Sequence, residues 1–186
     1  SHYFIKNSGE VLSLVPDLYE AWHAGVSSWQ KLKSLNKYSI GIEINNPGHD
    51  NGYVKFKKKQ LSTLYKLLRE LIKKHKIKIN NILGHSDISP NRKKDPGEKF
   101  PWKKLSNFNL GNWYKKKDYN LKLGQKKMII LFYKNLKKLG YRYFKVYKRN
   151  PKDKKIVKSF QQHFLEDNLS GKIDKKTYEI SYFLTH

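Results

Sequence analysis

Lys58-Lys59-Gln60-Leu61-Ser62-Thr63-Leu64-Tyr65-Lys66-Leu67-Leu68-Arg69-Glu70-Leu71-Ile72-Lys73-Lys74-His75 carries the reading on which the fold turns. Leu61, Leu64, Leu67, Leu68, Leu71 and Ile72 recur at three- and four-residue spacing, the mark of a helix that lays one face on a sheet, and the opposite face is mostly Lys. Downstream, Asn81-Ile82-Leu83-Gly84-His85 reads as a short buried strand that delivers His85 to its exit. Upstream, Ser39-Ile40-Gly41-Ile42-Glu43-Ile44 is a strand closed by the turn residues Asn45-Asn46-Pro47-Gly48, with Glu43 near its end. Tyr3 to Lys6 and Val11 to Leu14, around Asn7-Ser8-Gly9-Glu10, form a hairpin. Strand, helix, strand in this order predicts an α/β domain: a central mixed β-sheet with flanking helices.

A second unit is expected from Asp118, after Lys115-Lys116-Lys117, so that residues 1–117 form the first domain and 118–186 a small all-α one. Met128, Leu131, Phe132 and Leu136 mark one helix, Ile156, Val157, Phe160 and Phe164 another, and Tyr178, Tyr182 and Leu184 a third. Asp174 is placed to cap the last of these.

The composition narrows the chemistry. The chain has 186 residues and no Cys, so thiolate metal sites and disulfides are excluded and any metal must sit on His and carboxylate. The 40 Lys+Arg against 15 Asp+Glu give +25, which attracts anionic partners without choosing among nucleic acid, acidic membrane surfaces and carboxylate-rich wall polymer. A nucleic-acid binder is disfavoured, because no helix-turn-helix, zinc-finger or RNA-recognition signature accompanies the charge. No stretch approaches the roughly 20 apolar residues of a transmembrane helix, and no export leader is visible.

The chemically dense segment is Gly84-His85-Ser86-Asp87-Ile88-Ser89-Pro90-Asn91-Arg92-Lys93-Lys94-Asp95-Pro96-Gly97. His85 and Asp95 have the donor atoms of a zinc site, which needs three protein ligands plus an open position when catalytic. Lys93 can stabilise charge developing on a carbonyl oxygen, and Glu43 can act as general base. Taken singly these residues have plainer readings: His85 as a hydrogen-bonded histidine, Asp95 before Pro96 as a turn former. His49, His75, His163 and His186 have no metal-like company and read as surface residues.

Five blocks, in order, carry a resemblance: Ser1-His2-Tyr3, Ala21-Trp22-His23-Ala24-Gly25-Val26-Ser27, Asn36 to Ile44, Gly84-His85-Ser86-Asp87-Ile88, and Pro90 to Gly97 with Phe100-Pro101-Trp102. Together they resemble the amidase-2 family of N-acetylmuramoyl-L-alanine amidases, of the AmpD/AmiD type, over roughly residues 1–113. The resemblance implies a Zn2+ cofactor held by His85 and Asp95, Glu43 as the catalytic glutamate, and Lys93 as the lysine that stabilises the transition state. It places Trp22, His23, Asn36 and Arg92 near the substrate groove. The family's first zinc histidine lies on a strand before the Ser-His-Tyr block, so the third ligand is expected upstream of Ser1; His2 matches a different position.

In the second unit, Ile156 to Phe164 followed by Gly171-Lys172-Ile173-Asp174-Lys175-Lys176-Thr177 is similar to the three-helix peptidoglycan-binding domain appended to wall hydrolases. The implied function is hydrolysis of the amide between N-acetylmuramic acid, or its anhydro form, and L-alanine of peptidoglycan or muropeptides. The implied setting is the periplasm or cell envelope. The alternative is a peptidoglycan recognition protein without catalysis.

Overall fold

The computed structural model describes residues 1–119 and 123–186. In chain order the elements are β1 (Tyr3–Ile5), β2 (Val11–Ser13), β3 (Ser28–Trp29), β4 (Leu32–Lys33), β5 (Ile42–Ile44), α1 (Lys58–His75), α2 (His85–Ile88), α3 (Trp102–Asn107), α4 (Gln125–Leu139), α5 (Asp153–Phe164) and α6 (Lys175–Phe183), with short 3-10 turns between some of them. Two compact units result, and neither follows a single cut in the chain. The first gathers Ser1–Ser27, Leu32–Leu83 and Lys99–Asn112; the second gathers Ser28–Lys31, Gly84–Glu98 and Trp113–His186.

In the first unit, β1 pairs antiparallel with β2 and parallel with β5, giving a mixed sheet of order β2-β1-β5. The register sets Phe4 against Leu12 on one side and Glu43 on the other. The ladder takes up the strand expected over Ser39–Ile44 only from Ile42. Helix α1 forms over the residues its periodicity marked out and buries Leu64, Leu67, Leu68 and Leu71, while its lysines face outward. Each buried Leu contributes about 1.5–3 kcal/mol relative to an exposed one. Ile5, Ala21, Ala24, Leu35, Phe100, Trp102 and Leu105 complete this core.

The strand expected over Asn81–His85 does not form. Ile79–Asn81 is a 3-10 turn, the backbone runs extended through Ile82 and Gly84, and His85 opens the single helical turn α2. Among the described residues the sheet is complete as β2-β1-β5. Two extended residues flanked by turns are too few to build a ladder of their own.

The second unit is built on α4, α5 and α6. Phe132, Leu136, Ile156, Val157, Phe160, Tyr178 and Ile180 are buried, and the Phe132 and Phe160 rings meet edge to face with centroids 5.3 Å apart. Asp174 caps α6 as its sequence position implies, its carboxylate accepting from the Thr177 N–H at 2.7 Å. Gly140, after α4, has φ +133 and lies against the Trp29 indole; a Cβ there would stand 2.5 Å from Trp29 Cε2. Only glycine satisfies both the backbone angle and that approach. Among the described residues, no helix is long and apolar enough to cross a membrane.

Candidate active site

The segment after Gly84 is held as a closed loop by its own backbone. Ser86 N–H donates to the Asp95 carbonyl at 2.9 Å, and Arg92 and Lys93 N–H both donate to the Ser89 carbonyl, at 3.0 and 2.9 Å. Tying residue 86 to residue 95 sets the neighbouring side chains face to face. His85 Nδ1 lies 3.0 Å from Asp95 Oδ2. His85 is mostly buried, its side chain 17% exposed, whereas Asp95 is 58% exposed. The pair therefore stands at a surface with its imidazole anchored and its carboxylate open to incoming groups.

Charge gathers around this pair. Arg92 Nη2 is 3.3 Å from His85 Nε2, on the side of the ring away from Asp95. Partial burial pushes the Asp95 carboxyl up, but the hydrogen bond and charge of His85, with a smaller contribution from Lys93, outweigh it and hold the group below its usual range. Lys93 thus adds positive charge to this region. The second unit brings together four of the residues singled out in the sequence: His85, Asp95, Lys93 and Arg92.

The imidazole nitrogen and carboxylate oxygen that converge here are the donor types zinc prefers, and Nδ1 is the histidine atom that faces the acid. The pair fits two positions of a zinc centre. Among the described residues, no group of three or more His, Cys, Asp or Glu side chains is placed to hold a metal.

The first unit carries the other four. Glu43 sits at the middle of β5, exposed, and accepts from Ser1 Oγ at 3.4 Å. Trp22 is 88% exposed, with its indole in solvent. Asn36 Oδ1 accepts from three backbone N–H groups, those of His23, Ala24 and Gly25, at 3.2, 2.7 and 3.3 Å. Its carbonyl oxygen thereby fixes the path of the loop that presents Trp22. The His23 ring is held at both nitrogens, Nδ1 by the Ala21 carbonyl at 2.8 Å and Nε2 by Ser39 Oγ at 2.9 Å. It lies against Gly41, where a Cβ would come within 2.4 Å of the ring.

His2 is 1% exposed. Its Nδ1 accepts from the Gly41 N–H at 3.0 Å and its Nε2 contacts the Tyr19 carbonyl at 2.9 Å. A histidine with both nitrogens spent in this way braces the backbone between β1 and β5.

Two polar centres escaped the sequence reading. In the first unit Asp17, 3% exposed, takes Lys74 Nζ at 2.8 Å, His75 Nε2 at 2.7 Å and the Tyr3 hydroxyl. Burial alone would raise its pKa, but the hydrogen bonds from Lys74, Tyr3 and His75 drive it far below the usual carboxylate range. The same hydrogen bond, with burial, pushes the Tyr3 phenol up to about 12. In the second unit Asp87 and His163, 1% and 3% exposed, pair at 2.7 Å. The surface reading of His163 is therefore corrected, since it is buried against Asp87, while His75 is half-buried and pairs with the Asp17 carboxylate. Helical spacing held the signal for His163, which falls three residues after Phe160 and seven after Ile156, on the apolar face of α5.

The mixed sheet with flanking helices and the backbone-tied loop that pairs His85 with Asp95 point to a class, that of α/β amide hydrolases. The family model for N-acetylmuramoyl-L-alanine amidase (Amidase_2) matches residues 1–98, and the chain belongs to that family. It is 32% identical over 197 residues to the N-acetylmuramoyl-L-alanine amidase AmiD of Escherichia coli K12, an alignment covering 97% of this chain and 71% of AmiD. It is 39% identical over 102 residues to the 1,6-anhydro-N-acetylmuramyl-L-alanine amidase AmpD of Citrobacter freundii, covering 55% of this chain and 52% of AmpD. The solved complex of E. coli AmiD with anhydro-N-acetylmuramic acid-L-Ala-D-gamma-Glu-L-Lys superposes with a TM-score of 0.85 at 28% identity, covering 99% of this chain and 78% of that one. The helical unit thus has its counterpart within the AmiD fold.

Proposed function

We propose that this chain is a zinc-dependent amidase that hydrolyses the bond between N-acetylmuramic acid, or its anhydro form, and L-alanine in peptidoglycan or muropeptides. The observation that carries the reading is the His85 Nδ1 and Asp95 Oδ2 pair, 3.0 Å apart on a backbone-tied loop, in a member of this family. The AmiD complex with an anhydromuramyl tripeptide supports the substrate class.

His85 and Asp95 would hold zinc together with a third donor. A zinc ion in that place would supply Lewis acidity to the scissile carbonyl and to the attacking water. Glu43 takes the proton of the attacking water, and Lys93 stabilises the negative charge that develops on the carbonyl oxygen. The leaving amine of L-alanine is then protonated, with Glu43 returning the proton. Trp22 and Arg92 offer an apolar plane and a cation to the sugar and peptide, while His23 and Asn36 shape the loop beside them.

Residues 118–186 form the wall-binding domain in this reading, raising the local concentration of an insoluble substrate. The site of action is the periplasm or cell envelope. The rival reading is recognition of peptidoglycan without catalysis.

The decisive experiment incubates the zinc-supplemented chain with an anhydromuramyl tripeptide and follows release of the L-alanine amine. Release that falls 10²–10⁴-fold in Glu43→Ala supports the proposal. Binding of the tripeptide with no release by a chain shown to hold zinc would establish recognition instead, and an unchanged rate in Glu43→Ala would overturn the mechanism.

A further inference from the structure

The loop that bears His85 and Asp95 is fastened to the helical bundle through one buried carboxylate. Asp87 Oδ1 accepts from the Tyr141 hydroxyl at 2.6 Å and from Ser159 Oγ at 3.5 Å. Asp87 Oδ2 accepts from His163 Nδ1 at 2.7 Å and from the Gly84 N–H at 2.8 Å. Asp87, Tyr141, Ser159 and His163 are each at most 3% exposed. The side-chain partners come from chain 54 to 76 residues away. Helix α5 reaches the same loop twice more: Lys155 Nζ donates to the Asn91 carbonyl at 3.1 Å, and Gln162 Nε2 to the Lys94 carbonyl at 3.4 Å.

This arrangement exceeds what a tethered binding module requires. A linked module acts through local concentration and needs no buried bond to the catalytic loop. Here the carboxylate two residues after His85 is saturated, and two of its side-chain donors, Ser159 and His163, sit on α5. The Tyr141 ring is itself wedged between Trp29 and Phe160, at centroid distances of 5.0 and 6.2 Å, so its hydroxyl is aimed by packing. Partners behind a ligand commonly fix its direction, and their loss costs about 10–100-fold in metal affinity or activity.

We propose that Tyr141 and His163 are positioning residues for His85, acting through Asp87, so that the helical bundle is part of the catalytic scaffold as well as a wall-binding unit. The proposal rests on the amidase reading for its consequence in zinc binding, but not for its mechanical content. Its physical basis is a geometric lock. Without the His163 donor, Asp87 keeps a buried lone pair unsatisfied, the first turn of α2 loosens, and His85 no longer stays opposite Asp95.

The test uses the full chain with three variants: Tyr141→Phe, which removes only the hydroxyl; His163→Leu, which removes the donor; and His163→Asn, whose amide nitrogen stands near the place of Nδ1. In the metal-free chain, amide exchange over residues 84–95 should quicken at least tenfold in His163→Leu and Tyr141→Phe while exchange in α4 holds. The His85 Nδ1 resonance should shift in step, and His163→Asn should restore both. Zinc affinity, measured by competition with a chromogenic chelator, should weaken about 10–100-fold in the same two variants and recover in His163→Asn. A lower melting temperature with unchanged loop exchange and an unchanged His85 resonance would overturn the proposal. Absence of amine release by a zinc-loaded chain would count against the amidase reading alone, since the exchange and resonance measurements judge the lock without metal.

Discussion

Replacing Gly41 by Ala probes the seam that holds Glu43 in place. A methyl carbon at this position would meet His23 Cγ at 2.4 Å, Cδ2 at 2.5 Å and Cβ at 2.7 Å. Carbon pairs rest at about 3.5–4.0 Å, so one side must yield by roughly 1 Å. The ring has little room to retreat: Ala21 O and Ser39 Oγ hold its two nitrogens, and the His2 ring meets it edge-on with centroids 5.4 Å apart. The backbone has little more, because Gly41 N–H donates to His2 Nδ1 and Gly41 O accepts from the N–H groups of His2 and Tyr3. Overpacking of this kind costs about 1–3 kcal/mol. At about 2–4 °C per kcal/mol for a chain of this size, the melting temperature of Gly41→Ala should fall by roughly 3–10 °C. Glu43 lies two residues on, so amine release from an anhydromuramyl tripeptide should fall with it. The control is the double variant: in a His23→Ala background the added methyl has space, and Gly41→Ala should then cost under about 0.5 kcal/mol, giving a coupling of about 1–2 kcal/mol. A melting temperature unchanged within error, or an equal penalty in both backgrounds, would refute the argument from steric contact.

Three further outcomes follow from the geometry. Because the folded pKa of Asp17 is depressed, its contribution to stability is present above the unfolded value of about 3.9 and is lost as pH falls through the folded value. Urea titrations between about pH 5 and 2 should therefore show the chain losing more stability than Asp17→Asn does, and parallel curves would count against the cluster. Tyr3 has the opposite sense: its raised pKa gives stability present below about 10 and lost as pH rises through about 12, so Asp17→Asn should bring its spectroscopic titration back toward 10. Lys93→Ala should lower kcat for muramyl tripeptide hydrolysis by about 10²–10³ with a small change in KM, and a change confined to KM would assign Lys93 to substrate binding instead.

How much of this was legible in the sequence depends on the range over which each feature is encoded. Helix α1 could be read over Lys58–His75 because amphipathic periodicity is a property of neighbouring residues, and Asp174 could be read as a cap for the same reason. That Asn81–His85 forms no strand was not legible, since a ladder needs a partner whose presence a local apolar run does not specify. His163 was hidden differently. Its helical face could be derived, but what the face meets is Asp87, 76 residues earlier in the chain.

The sequence by itself determined the α/β class, the helices of the second unit and the membership of His85, Lys93 and Asp95 in one short loop, because hydrophobic spacing and motif spacing are written locally. Only the tertiary structure decided that Nδ1 of His85 is the atom facing Asp95, that Asn36 and His2 are spent on backbone groups, and that Asp87 ties the loop to α5. Those outcomes depend on which side chains a shared core brings within hydrogen-bond reach, and burial rewards a donor and acceptor that meet regardless of how far apart they lie along the chain.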